Sequence, residues 1–388
     1  MSITAPQGFR AAGVTAGLKA SGKPDVALVV NDGPSKAAAA VFTSNRVAAA
    51  PVHWSREVVK DGRVDAVFLN SGGANACTGP QGFQNTHTTA EKTAEALGAS
   101  ATDVFVCSTG LIGEQLPMDK ILSGIGAATA ALSSDGGSDA ATAIMTTDSV
   151  SKQAVFTGTD ADGNEFIIGG MAKGAGMLAP GLATMLVVLT TDAEVQPDML
   201  DVVLRDATRV TFDRADSDGC MSTNDTVVLL ASGASGAVPS AVDFGTGLTQ
   251  VCAELARKLI GDAEGASHDI AIRTFNAASE RDAEVVSRAV ARSNLFKAAI
   301  FGKDPNWGRV LSAVGTTDAA FEADQLNVSM NGVQICRNGS IGDDRGLVDL
   351  EPREVLVEID LQAGGAEATI WTNDLTHDYV HENSAYSS

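Results

Sequence analysis

Thr184 stands where a stretch of small residues, Lys173-Gly174-Ala175-Gly176-Met177-Leu178-Ala179-Pro180-Gly181-Leu182-Ala183, gives way to the apolar, β-branched run Met185-Leu186-Val187-Val188-Leu189. Pro180-Gly181 is a turn signal and the run after it reads as a buried strand. A threonine hydroxyl is a poor nucleophile without a base beside it. Breaking the Ala183–Thr184 bond would free an α-amine that titrates near pH ~8 and reaches the Oγ of its own residue. The same position also suits a plain β-former at the head of a strand, and these residues alone favour that simpler reading. Acyl transfer would further need donors for an oxyanion. Ser108-Thr109-Gly110 ends another apolar run and offers a hydroxyl and a backbone N–H, or else an ordinary turn. Lys173, a lone cation among small residues, reads by itself as a solvated surface charge, and Glu264 as a charge at a helix end.

Other chemistries find less support. His377 and His381 have helical spacing with Glu382 beside them, but no third metal ligand is placed nearby. Asp160-Ala161-Asp162-Gly163-Asn164 begins like a calcium loop, yet Glu165 stands where the glycine belongs and Met171 where the closing glutamate belongs. Gly169-Gly170-Met171-Ala172-Lys173-Gly174 lacks phosphate-loop spacing and precedes a strand, not a helix. No Gly-x-Ser-x-Gly elbow occurs, and His53, His87 and His268 carry no partner signal.

The elements that must hold these residues read as an α/β chain. Runs at 26–30 and 38–43, separated by Asn31-Asp32-Gly33-Pro34, read as an antiparallel pair. Strands at 65–69 and 104–107 each run into small residues, where ligands collect in open α/β sheets. Helices are expected over 85–98, 118–133, 136–145, 196–209, 246–261 and 283–292. A hairpin is expected at 153–168, and strands at 184–191, 226–231, 269–275 and 297–301. Residues 326–372 alternate in period two, with turns at Asn331-Gly332 and Asn338-Gly339, as a small β-rich module.

With 388 residues, 44% of them hydrophobic, the chain can bury one large core or two smaller ones. Its net charge of -21 has no basic cluster within it, which argues against nucleic acid and anionic membranes as partners. Five cysteines are widely spaced without a Cys-x-x-Cys pair, residues 1–6 lack the build of a signal peptide, and no apolar run reaches the ~20 residues of a membrane span. A cytoplasmic protein with reduced thiols is expected.

Taken together, the motifs resemble those of the glutamate N-acetyltransferase / ornithine acetyltransferase family of arginine biosynthesis. The resemblance rests on Lys173-Gly174-Ala175-Gly176-Met177, Pro180 and Ala183-Thr184-Met185-Leu186. It also rests on Asn70-Ser71-Gly72 with Ala74-Asn75-Ala76-Cys77-Thr78-Gly79, on Ser108-Thr109-Gly110, and on Met145-Thr146-Thr147-Asp148. Ser222-Thr223-Asn224-Asp225-Thr226, Asp304-Pro305-Asn306-Trp307-Gly308-Arg309 and the tail at Asn383 complete the series in order.

The resemblance implies a four-layer α/β/β/α sandwich like that of N-terminal-nucleophile enzymes (1–268) and a smaller β-rich C-terminal domain (269–388) whose tail returns to the active site. It implies self-cleavage between Ala183 and Thr184 into an α chain (1–183) and a β chain (184–388), assembled as α2β2. Thr184 is then acetylated by N-acetylornithine, releasing ornithine, and passes the acetyl group to glutamate, giving N-acetylglutamate. No cofactor is implied, and acetyl-CoA is a candidate second donor. Thr109 and Gly110 match the oxyanion pair; Thr147, Lys173, Thr184, Glu264, Asn383 and Ser388 match the substrate contacts, with Thr146 the alternative to Thr147. We assign Lys173 to the substrate carboxylate and Glu264 to its ammonium. Gly73 and Gly181-Leu182 depart from the commoner family residues. The competing reading is an aminopeptidase or amidase of similar fold that gives the acyl group of Thr184 to water; a third is a non-catalytic binding protein.

Overall fold

The computed structural model describes residues 2–179 and 185–385. In chain order the elements are β1 (Phe9–Val14), β2 (Val26–Asn31), β3 (Ala37–Phe42), α1 (Ala50–Val58), β4 (Ala66–Asn70), α2 (Gly79–Leu97), β5 (Val104–Ser108), α3 (Met118–Ala131), α4 (Gly137–Ala143), β6 (Lys152–Thr159), β7 (Glu165–Lys173) and β8 (Leu186–Thr191). There follow α5 (Pro197–Arg209), β9 (Thr226–Ala231), α6 (Ala241–Gly261), β10 (Asp269–Ala277), α7 (Glu280–Ala291), α8 (Asn294–Phe301), α9 (Trp307–Val314), β11 (Asn327–Met330), β12 (Val333–Arg337), β13 (Ser340–Ile341), β14 (Glu354–Asp360), β15 (Ala366–Asn373) and α10 (His377–Ala385).

Three sheets result, ordered β1-β2-β4-β5, β3-β9-β8-β7-β6 and β13-β12-β11-β14-β10-β15. Period-two alternation splits the strands of the first two between faces. Val29, Val67, Leu69 and Phe105 of the first sheet meet Met171, Leu186, Val188, Val228 and Leu230 of the second in a shared core. The opposite face of the first sheet (Val26, Leu28, Phe68, Val106) is covered by Ala90 and Ala94 of α2 and by Ile121 and Ile125 of α3. That of the second (Phe166, Ile168, Val187, Leu189) is covered by Leu200 and Leu204 of α5 and by Phe244, Leu248 and Leu255 of α6. The layers therefore run helix, sheet, sheet, helix. The third sheet has a core of its own, with Ile270, Ile272, Val357 and Ile370 against Val286 and Val290 of α7, Phe296 of α8 and Val310 of α9. Among the described residues no helix is long and apolar enough to cross a membrane.

Three expectations need correction. β2 and β3 are not a pair: β2 lies between β1 and β4, while β3 pairs with β9 in the other sheet. The intervening turn crosses between sheets, because Asn31 Nδ2 donates to Ala231 O (3.2 Å) and Gly33 packs so tightly on Ser232 that a Cβ would lie 2.5 Å from it. The expected strand at 297–301 is helix α8, capped by Ser293, whose hydroxyl accepts the Phe296 N–H. A short apolar run has no periodicity to separate the two readings. Lys173 is no solvated loop residue; it closes β7 with 2% of its surface exposed. Helices α2 and α6 also start earlier than expected, at Gly79 and Ala241.

Candidate active site

Strand direction brings the chemistry together. β4 and β5 are parallel, so Asn70 and Ser108 end side by side and their small-residue loops leave from one edge. β7 is antiparallel to β8, and β8 parallel to β9, so the end of β7 (Lys173) lies beside the starts of β8 (Leu186) and β9 (Thr226). Asn224 joins the two edges, its Nδ2 donating to Ala74 O (2.6 Å) and Ser108 O (2.8 Å). Thr109 is fixed by its own N–H on Asn70 O (2.9 Å) and by its carbonyl, which accepts the Gly73 N–H (3.0 Å). Gly110 has φ +128°, and a Cβ there would stand 2.8 Å from Gly73 N, so only glycine fits.

A cavity of about 460 Å³ opens at this junction, lined by Thr109, Gly110, Thr147, Lys173, Glu264 and Asn383. The six described candidates thus share one site, although they come from five separate parts of the chain. Thr146 lines it too, so geometry does not prefer Thr147 over its neighbour. Ala183, Thr184 and Ser388 lie outside the described residues; Met185, the first described residue after Thr184, immediately precedes β8. Glu264 approaches because Gly176 has no side chain: a Cβ there would lie 2.6 Å from Glu264 Oε2. Asn383 rides on α10, which closes against Gly265, where a Cβ would stand 2.2 Å from Tyr379 N.

The site is held by buried charge. Lys173 Nζ lies 3.5 Å from Thr109 Oγ1 and 3.9 Å from Asp148 Oδ2. Asp148 Oδ1 accepts from Lys152 Nζ (2.6 Å) and the Gly174 N–H (2.6 Å), and Lys152 also reaches Asp262. Burial would raise the Asp148 carboxyl, but Lys173, Lys152 and the Gly174 N–H outweigh it and hold it down at about 2. Burial lowers the Lys173 ammonium, against the pull of Asp148, Asp225 and Glu264. Lys19, which also lines the cavity, is brought down to about 8, chiefly by burial. Burial pushes the Asp225 carboxyl well above the usual range.

No group of three or more metal-ligating side chains occurs among the described residues. His268 has partners that its sequence gave no sign of: Nδ1 pairs with Asp374 Oδ2 (2.8 Å) and Nε2 with Leu350 O (3.1 Å). Both ring nitrogens are engaged, so this cluster ties chain together and is no catalytic triad.

The model of the ArgJ family matches residues 10–388. The arginine biosynthesis bifunctional protein ArgJ of Streptomyces coelicolor is 65% identical over 388 residues, covering 100% of both chains. The chain belongs to the ArgJ family. The ArgJ protein of Bifidobacterium longum is 55% identical, again covering 100% of both chains. A solved structure of ornithine acetyltransferase complexed with ornithine, from Mycobacterium tuberculosis, is 55% identical, with TM-score 0.44, over 48% of this chain and 96% of that one. The family-model match, over residues 10–388, includes every residue that lines the cavity of this ArgJ-family chain. Four residues around its site were given no role from sequence: Lys19, Asp148, Asp225 and Asp262, although Asp148 and Asp225 lie within motifs that carry the resemblance. Asp148 and Lys152, four residues apart in sequence, carried the only local signal, because the others converge through tertiary contacts alone.

Proposed function

We propose that this enzyme of arginine biosynthesis transfers an acetyl group from N2-acetyl-L-ornithine to L-glutamate through an acetyl-Thr184 intermediate, in two half-reactions. The observation that carries this reading is the gathering of Thr109, Gly110, Lys173 and Glu264 in one cavity beside the start of β8, two residues beyond Thr184 in the chain. The chain first cuts itself between Ala183 and Thr184, freeing the amine that then serves the Thr184 hydroxyl as base. That hydroxyl attacks the acetyl carbonyl; the Thr109 hydroxyl and Gly110 N–H meet the developing oxyanion. Ornithine leaves and glutamate takes the acetyl group by the reverse path.

Lys173, buried and cationic, suits the substrate carboxylate, and Glu264 its ammonium. Thr147, Asn383 and Ser388 complete the substrate contacts, and acetyl-CoA is the candidate second donor. The cut halves remain together as α2β2 in the cytoplasm.

Denaturing mass analysis and an exchange assay test the reading. Wild type should yield chains 1–183 and 184–388, and ornithine release from N-acetylornithine should depend on glutamate. An intact wild-type chain would overturn the nucleophile. Ornithine release at full rate without glutamate would favour the hydrolase.

A further inference from the structure

The two amino acids of the proposed reaction end in opposite charges. The side chain of N-acetylornithine ends in an ammonium, that of glutamate in a second carboxylate, and one cavity must take both in turn. Glu264 suits the ammonium, but its charge rejects the γ-carboxylate of glutamate, because like charges brought together are unfavourable. Lys173 is taken by the α-carboxylate that both substrates carry. A second cation has to receive the γ-carboxylate. Among the described residues that line the cavity, the charged ones are Lys19, Glu114, Lys173 and Glu264. Lys19 is the cation that remains.

Lys19 is built into its place. It lies in the loop between β1 and β2, which wraps the fully buried carboxylate of Asp25. Asp25 Oδ1 accepts the Ala16 N–H (2.6 Å), and Oδ2 accepts those of Leu18 (2.6 Å) and Lys19 (3.0 Å). The Lys19 main chain is thus fixed without help from its own side chain. Its Nζ donates to Met145 O (2.6 Å) and Pro24 O (2.7 Å), and Ala143 O stands at 3.5 Å. These carbonyl dipoles aim the ammonium without cancelling its charge, and the third bond is long enough to yield to a better acceptor. Held at about 8, the group is still charged at neutral pH. Met145 also opens the turn that ends in Asp148, whose Oδ2 accepts the Thr146 N–H (2.9 Å) and lies 3.9 Å from Lys173 Nζ. Lys19 and Lys173 therefore grip the two ends of Met145-Thr146-Thr147-Asp148, with Thr146 and Thr147 in the cavity wall between them. Two cations along one wall match a dicarboxylate.

We propose that Lys19 receives the γ-carboxylate of glutamate, so that one cavity serves substrates of opposite side-chain charge; this rests on the reading that the enzyme passes an acetyl group from N-acetylornithine to glutamate. The ornithine side chain turns to Glu264 and the glutamate side chain to Lys19, while Lys173 holds the α-carboxylate of each.

Acetyl-transfer kinetics with glutamate and with glutamine as acceptors, which differ in that one charge, test this on the mature enzyme. Wild type should favour glutamate about tenfold or more in kcat/KM. Lys19→Met should cut that preference about tenfold or more, chiefly by raising KM for glutamate. An unchanged preference would overturn the assignment. So would an equal fall for both acceptors, which marks a structural effect. Competition on wild type needs no variant. Glutarate should compete with glutamate about tenfold or more tightly than butyrate, which lacks the second carboxylate. Equal inhibition by the two would overturn the assignment even where Lys19→Met fails to fold. A wild type that acetylates neither acceptor from N-acetylornithine refutes the underlying reading instead, and the assignment falls with it.

Discussion

Of the two donors in the proposed oxyanion pair, only the Thr109 hydroxyl can be removed cleanly by substitution. Its backbone is fixed by Asn70 and Gly73 independently of its hydroxyl. Thr109→Ala should therefore lower kcat by roughly 10²–10³ without moving the melting temperature by more than a few degrees. Steady-state kinetics beside a thermal melt check this. Asp148 should behave oppositely. Its carboxyl lies between buried Lys152 and Lys173, so Asp148→Asn leaves two buried cations with less compensation and should cost ~3–5 kcal/mol in denaturant unfolding at pH 7. Because the folded-state value is depressed to about 2 from 3.8, this stability is present above 3.8 and lost as pH falls towards 2. The gap between wild type and variant should close over that window. Thr109 and Gly110 were legible in sequence because donor and glycine are adjacent after a strand. Asp148 and Asp225 stand within the motifs, but no role could be read for them, because their significance comes from burial and from lysines and amides that only the fold brings near.

The elements were more legible where they carry a period than where they are short and wholly apolar. Helix α5 and the β6–β7 hairpin stand close to their expected places, since one shows an apolar stripe opened by Pro197 and the other a polar turn. The β2–β3 pairing failed because both strands are buried on both faces and fit either sheet, and the partner was settled by the packing of Gly33 on Ser232. Helix α10 depends on a comparable close approach. Gly265 has φ +61° with Tyr379 N where a Cβ would be. Gly265→Ala should push α10 outward and carry Asn383 away from the cavity. We expect KM for N-acetylornithine to rise about tenfold or more while the chain still cuts; kinetics and denaturing mass analysis read the two effects separately.

At the scale of the molecule, the third sheet and its helices grip the sandwich through buried charge. Asp216 accepts from Arg292 Nε (2.8 Å) and meets Arg288 (3.4 Å), while Lys297 donates to Ser217 O. Ser217 and Asp218 in turn hold Leu178 and Met177, a few residues upstream of the proposed cut. Asp216→Ala should leave Arg288 and Arg292, both reached by solvent, without their shared partner, costing ~1–3 kcal/mol. Calorimetry should then resolve two transitions where wild type gives one. None of this was readable in the chain, since Asp216 and Arg292 look like any exposed pair until the helices dock.

The strand order β3-β9-β8-β7-β6 has one more consequence. β3, β7 and β6 precede residue 183, whereas β8 and β9 follow it, so the two halves are interleaved like fingers of clasped hands. Severing the backbone between β7 and β8 would leave ladders on both flanks of the β8–β9 pair to be unzipped before either piece could leave. The nick would be invisible to gel filtration and to dilution. The pieces would behave as one body in every assay short of denaturation, and once unfolded they could rejoin only by threading two strands back between three.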